Sequence, residues 1–131
     1  MVLAKHHLCF MNDNWTLVLG ASPNPERYAH KAVMRLLTHG HSVVGVGLRT
    51  GMIGTVEIQQ EIPVGVKFHT VTLYLGPTAQ KAWQEKVLAM RPARIIFNPG
   101  TENRAFEQLA KSAGIEVVEG CTLVMLASGQ Y

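Results

Sequence analysis

The chain has 131 residues, room for one domain around one core and not for two. An apolar share of 47% excludes a disordered chain, and no apolar run approaches the ~20 residues that a membrane-spanning helix needs. The formal charge of +3, with basic residues not interleaved with aromatics, argues against a nucleic-acid platform and suits a small anionic ligand.

Residues 1–14 read as a flexible tail before a single domain at 15–131. They lack the sustained apolar core and small-residue cleavage pattern of a signal peptide. Lys5, His6 and His7 have no neighbouring ligand cluster that would make them a metal site, and Met11 competes with Met1 as the natural start. Cys9 and Cys121 match no zinc spacing; with no export signal, they point to a reducing cytoplasm. Asp13 is the only aspartate, and none of the eight glutamates clusters into a carboxylate pair or a divalent-metal site.

Thr16–Ala21 predicts a strand running into Gly20. Asn24-Pro25-Glu26 then has the order of a helix start: a cap, a proline at the first position and an acid at the positive end of the dipole. Ala29, Ala32, Val33, Leu36 and Leu37 recur at helical spacing until Gly40 stops the run. Ser42–Val46 is a second strand, followed by a turn rich in glycine (Gly47, Gly51, Gly54) and a stretch from Thr55 to Lys67 with no regular pattern. Val71–Leu75 is the third strand and Pro77–Met90 a second helix, with Ala79, Ala82, Trp83, Val87 and Leu88 as inward positions. Arg94–Phe97 is the fourth strand, Glu102–Ala113 a third helix capped by Thr101, and Ile115–Val118 the fifth strand; Leu123–Leu126 is a last extended or helical piece. Short continuous apolar strands alternating with helices specify an α/β domain of three layers, Rossmann-like, with a doubly wound, mostly parallel five-stranded sheet.

Ligands of such sheets bind beyond the carboxyl ends of the strands. That edge comprises Gly20–Ser22, Gly47–Arg49, Leu75–Pro77, Asn98–Thr101 and Gly120–Cys121. The first loop joins strand to helix, where backbone amides and the helix dipole favour a phosphate, and the Ser22 hydroxyl adds a donor. A plain capped helix start is the competing reading, since Ser22 and Pro25 replace the second and third glycines of a G-x-G-x-x-G. Arg27, a cation where the dipole is positive, calls for compensation, which a bound phosphate or Glu26 would supply. Lys31 and Arg35 continue its spacing and read as solvated. No acid ends the second strand to hold a ribose 2′-hydroxyl; Arg49 there suits an extra phosphate, as on NADP or coenzyme A, or is a surface arginine.

The run Leu17-Val18-Leu19-Gly20-Ala21-Ser22-Pro23-Asn24-Pro25-Glu26-Arg27-Tyr28, then Val33–Leu37, Gly40-His41 and Gly114–Thr122, resembles the small stand-alone CoA-binding domain family, similar to the nucleotide-binding domain of succinyl-CoA synthetase α subunits. The resemblance spans Trp15 to Leu126. It implies coenzyme A or an acyl-CoA as ligand, with Gly20, Ala21 and Ser22 at the pyrophosphate and Arg27 nearby. Gly47, Leu48 and Arg49, with Leu75, Gly76 and Pro77, would flank the adenosine, and Gly100 and Thr101 would close over it. Many members carry Asn-Pro after the second strand, where this chain has Gly47-Leu48-Arg49. Cys121, matching the family's closing cysteine, is either a thiol within reach of coenzyme A, able to form a mixed disulfide, or a small buried hydrophobe.

His30, His39, His41 and His69 look peripheral, and no G-x-S-x-G elbow or P-loop lysine appears. The expectation is a non-catalytic binder serving as sensor, carrier or partner subunit, with a protein partner or a homodimer in view. An NADP-dependent oxidoreductase is the alternative, and a flavodoxin-like interaction domain is disfavoured by the absence of an acid pocket after the first strand.

Overall fold

Strand β1 (Trp15–Leu19) buries every residue from Thr16 to Leu19, because both faces of its sheet are covered. The structure, a computed structural model, describes residues 14–131; the expected tail before Asn14, with Lys5, His6, His7, Cys9 and Asp13, lies outside the described residues. β1 pairs in parallel with β2 (Val43–Val46) on one side and with β5 (Phe68–Leu73) on the other. β6 (Arg94–Phe97) and β7 (Glu116–Glu119) extend the sheet beyond β5, giving the order β2-β1-β5-β6-β7, parallel throughout. The Rossmann-like α/β expectation holds.

Side chains alternate across β1, so Val18 meets one layer while Leu17 and Leu19 meet the other. The Val18 face packs under α1 (Tyr28–Thr38), α5 (Thr122–Ser128) and a small antiparallel hairpin of β3 (Met52–Ile53) and β4 (Val56–Glu57). The opposite face takes Val87 of α3 (Gln84–Met90) and Phe106 and Ala110 of α4 (Arg104–Ser112), with Phe97 and Phe106 edge to face at 5.5 Å between ring centres.

Several local expectations are corrected. Helix α1 starts at Tyr28, because Asn24 spends its side chain on Glu26 N–H and its carbonyl on Arg27 N–H, closing a turn instead of a cap. The hairpin falls partly in the glycine-rich turn (β3) and partly in the stretch that showed no pattern (β4); strands of two residues are too short for periodicity to reveal. Pro77–Met90 is two helices, α2 (Pro77–Gln80) and α3. Ala79 and Ala82 are exposed, and Gln80 is the buried residue of the first piece. Asn103 caps α4 by accepting from Phe106 N–H, whereas Thr101 turns its hydroxyl back to Asn98 O. The last piece is the helix α5.

The strand order reverses between β1 and β5: the chain leaves β1 for β2 on one side and returns to β5 on the other. The loops after these two strands therefore diverge and open a crevice at the sheet's carboxyl edge.

Candidate functional site

A cleft of about 730 Å³ occupies that crevice. The loop after β1 supplies Gly20, Ala21 and Ser22, and the start of α1 supplies Arg27, Tyr28 and Ala29. Leu48 and Arg49 enter after β2, Tyr74, Leu75 and Gly76 after β5, and Pro99, Gly100 and Thr101 after β6. Ten of the thirteen site residues read from the sequence thus share one cleft; Gly47, Pro77 and Cys121 are not among its lining residues.

Two glycines shape the first loop. Gly20 has φ +104°, a conformation that favours glycine, and a Cβ there would come within 3.0 Å of the Tyr74 carbonyl group. A Cβ on Gly47 would run into the Ala21 carbonyl oxygen, so Gly47 lets the end of β2 pass against the loop instead of lining the cleft. That close approach delivers the Val46 carbonyl, which accepts from both Gly20 N–H (2.8 Å) and Ala21 N–H (2.9 Å). The two amides expected to face a phosphate are thereby occupied. Proline at 23 and 25 offers no donor, and the amides of Asn24, Glu26 and Arg27 are bonded inside the turn.

The start of α1 is different. Arg27 is its N-cap, extended at φ −79° and ψ 142°, with no side-chain cap and no acid in the first turn. The first ladder bond runs from Lys31 N–H to Arg27 O, which leaves the amides of Tyr28, Ala29 and His30 without an intrahelical acceptor. Tyr28 and Ala29 line the cleft, so the positive end of an eleven-residue helix opens onto it. Arg27 and Arg49 are exposed at its rim, and no Asp or Glu lies among its lining residues.

The far wall is held by buried side chains. Gln80 donates to Leu75 O and Thr101 O and accepts from Asn103 Nδ2, joining the loops after β5 and β6 to α4. Asn98 donates to Thr72 Oγ1 (2.6 Å) and Leu73 O (2.8 Å) and accepts from Thr122 N–H (2.9 Å). This seats the head of α5 against β5 and β6. Gly100 N–H is taken by the Glu102 carboxylate.

Tyr74 stands between cleft and core. Its buried hydroxyl has no hydrogen-bond partner among the described residues, and the nearby Thr72 and Thr122 hydroxyls bond each other at 2.7 Å. Burial pushes its pKa up to about 12, against the pull of the Thr122 hydroxyl, so it is a neutral phenol at physiological pH. Half-buried Cys121, the residue before α5, lies near that phenol.

Asn24, Tyr28, Ala29 and Tyr74 are lining residues that sequence reasoning missed, whereas Pro99 lies in the expected Asn98–Thr101 loop. Tyr28 and Ala29 were hidden by placing the helix start too early. His30, expected to be peripheral, bonds the Ser22 carbonyl through Nδ1 at 3.1 Å. The glutamates also meet more closely than expected: a hydrogen bond to Glu107, then its charge, raises the pKa of Glu119, which is exposed on β7 while Glu107 is buried on α4. Among the described residues no helix is long and apolar enough to cross a membrane.

Comparison with known proteins follows the same outline. The family described as CoA binding domain matches residues 15–127. A crystal structure of an uncharacterized protein is 44% identical, with a TM-score of 0.87 over 92% of this chain and 99% of that one. A Thermus thermophilus protein is 23% identical, with a TM-score of 0.78 over 98% of each chain, and shares the fold. The dinucleotide-forming acetyl-coenzyme A synthetase 1 of Ca. Korarchaeum cryptofilum, solved with phosphate and ADP, is 16% identical. Its TM-score of 0.67 covers 83% of this chain but 26% of that one. No curated protein matches.

Proposed function

The chain belongs to the CoA binding domain family, and from that premise we propose that it binds coenzyme A or an acyl-CoA in this cleft without transforming it, as a sensor, carrier or partner subunit. The observation that carries the reading is the uncapped start of α1, opening with Arg27 and Arg49 onto a cleft free of lining carboxylates. A pyrophosphate there would accept from the α1 amides and the Ser22 hydroxyl, and its charge would be met by the dipole and by Arg27. Gly20 and Ala21 shape the loop without donating. The adenosine would lie between Leu48 and Leu75-Gly76, with Arg49 at its 3′-phosphate. Gly47 and Pro77 set the backbone of those two loops, Gly100 and Thr101 cover the ligand, and Cys121 is left for the far end of the pantetheine arm.

Calorimetry under reducing conditions tests this with coenzyme A, dephospho-coenzyme A, NADP, NAD and ATP. Coenzyme A is expected to bind selectively. Arg27→Ala should weaken it about tenfold or more, the value of a charge-assisted hydrogen bond. Arg49→Ala should weaken coenzyme A but leave dephospho-coenzyme A unchanged. Binding of NADP alone would transfer the reading to an NADP-dependent oxidoreductase, and no binding would return the loop to a structural turn.

A further inference from the structure

A second concavity, about 390 Å³, runs between α1 and α5 on the face that carries the hairpin. Its apolar surface comes from Met34 on α1 and from Leu123 and Val124 on α5. Met34 and Val124 are 41% and 62% exposed, unusual for side chains of this kind standing together. The α1 side of the groove is basic: His30, Lys31 and Arg35 all border it. Lys31 and Arg35 are four residues apart, a like-charge pair that weakens an isolated helix. Lys31 rests over the Tyr28 ring at 5.4 Å and Arg35 lies in the last turn, but no acid on α1 or among the lining residues of the groove neutralises the pair. The sequence stripe of Arg27, Lys31 and Arg35 is therefore divided, with Arg27 at the cleft and the other two here.

We propose that this groove docks an amphipathic helix of a partner protein, apolar on the side that enters between α1 and α5 and acidic along the edge that meets Lys31 and Arg35. Two helices packed side by side, both starting at the carboxyl edge of the sheet, leave a furrow that a third helix fills with side chains at i, i+3, i+4 and i+7. Carboxylates on that helix relieve the repulsion between Lys31 and Arg35 and steer the encounter. The assignment stands on α1 and α5 alone and does not depend on what occupies the cleft.

The test uses the full chain without added nucleotide and a fluorescent synthetic helix of about 18 residues, leucine at those positions and glutamate flanking them. A lysine-for-glutamate version and a proline-broken version serve as controls. The acidic helix should bind and shift the amide resonances of residues 30–35 and 123–127. Val124→Glu, at an exposed position, and the double substitution Lys31→Glu with Arg35→Glu should each weaken it about tenfold or more. Equal binding of the lysine helix, or binding indifferent to both variants, would overturn the proposal. So would no binding of the acidic helix, or a chain dimer that covers the groove and that Val124→Glu dissociates.

Discussion

Replacing Asn98 by alanine removes three buried hydrogen bonds, to Thr72 Oγ1, Leu73 O and Thr122 N–H. Each is worth about 1 kcal/mol net, and the Thr122 amide, which the Asn98 oxygen alone was shown to satisfy, adds a desolvation cost of similar size. Thr72 keeps its bond to Thr122 Oγ1, which limits the loss at that end. The sum is about 3–4 kcal/mol, or roughly 12–16 °C in Tm for a domain of this size. Urea denaturation followed by circular dichroism measures the free energy directly. The aspartate variant sharpens the test: it retains the acceptor for Thr122 N–H but sets a carboxylate oxygen against the Leu73 carbonyl. Burial raises the pKa of that carboxyl, so Asn98→Asp should be less stable at neutral pH and recover as pH falls through its folded pKa and it becomes a donor. A loss below about 1 kcal/mol for Asn98→Ala, with no pH-dependent recovery for Asn98→Asp, would refute the view that Asn98 ties α5 to the sheet.

Two further outcomes are expected. Gly47→Ala should cost about 2 kcal/mol or more by forcing a Cβ into the Ala21 carbonyl, whereas Gly76→Ala, which meets nothing within 4 Å, should be neutral or slightly stabilising. Parallel denaturation curves decide it, and equal effects would mean that the β2–loop contact does not matter. Burial, then the charges of His39 and Arg94, lowers the pKa of His41 below its ordinary 6.5. Because the unfolded chain takes up that proton first, stability is full above about pH 6.5 and falls as pH drops from there to the depressed folded value. His41→Gln should flatten that part of the stability profile, and an unchanged profile would remove His41 as its source.

The five parallel strands were legible because a parallel sheet covered on both faces demands short continuous apolar runs, and Leu17–Leu19, Val43–Val46 and Ile95–Phe97 are such runs. The cleft was legible loop by loop, since glycine and proline mark strand ends. What the chain did not disclose depends on contacts between distant segments. That the Gly20 and Ala21 amides would be spent on Val46 O follows from the register of β1 against β2, which no local pattern records. Nothing local marks Gln80 as buried, because two of its partners, Thr101 and Asn103, lie more than twenty residues away. The competition between an Asn24 cap and an Asn24 turn was local, yet both readings use the same side-chain oxygen, and sequence alone gives no reason to prefer the turn.

The sheet ends at β7, whose outer edge has no neighbouring strand among the described residues. A free row of amides and carbonyls is a template on which another chain can add a strand, and two valines in sequence make this one sticky. Glu116 and Glu119 stand exposed at either end of Val117-Val118, so an approaching edge meets carboxylates before it meets backbone. Glu119 keeps its proton to higher pH than an ordinary glutamate because Glu107 is beside it. One of the two guards is therefore the first to lose its charge on acidification, which weakens the protection of this edge.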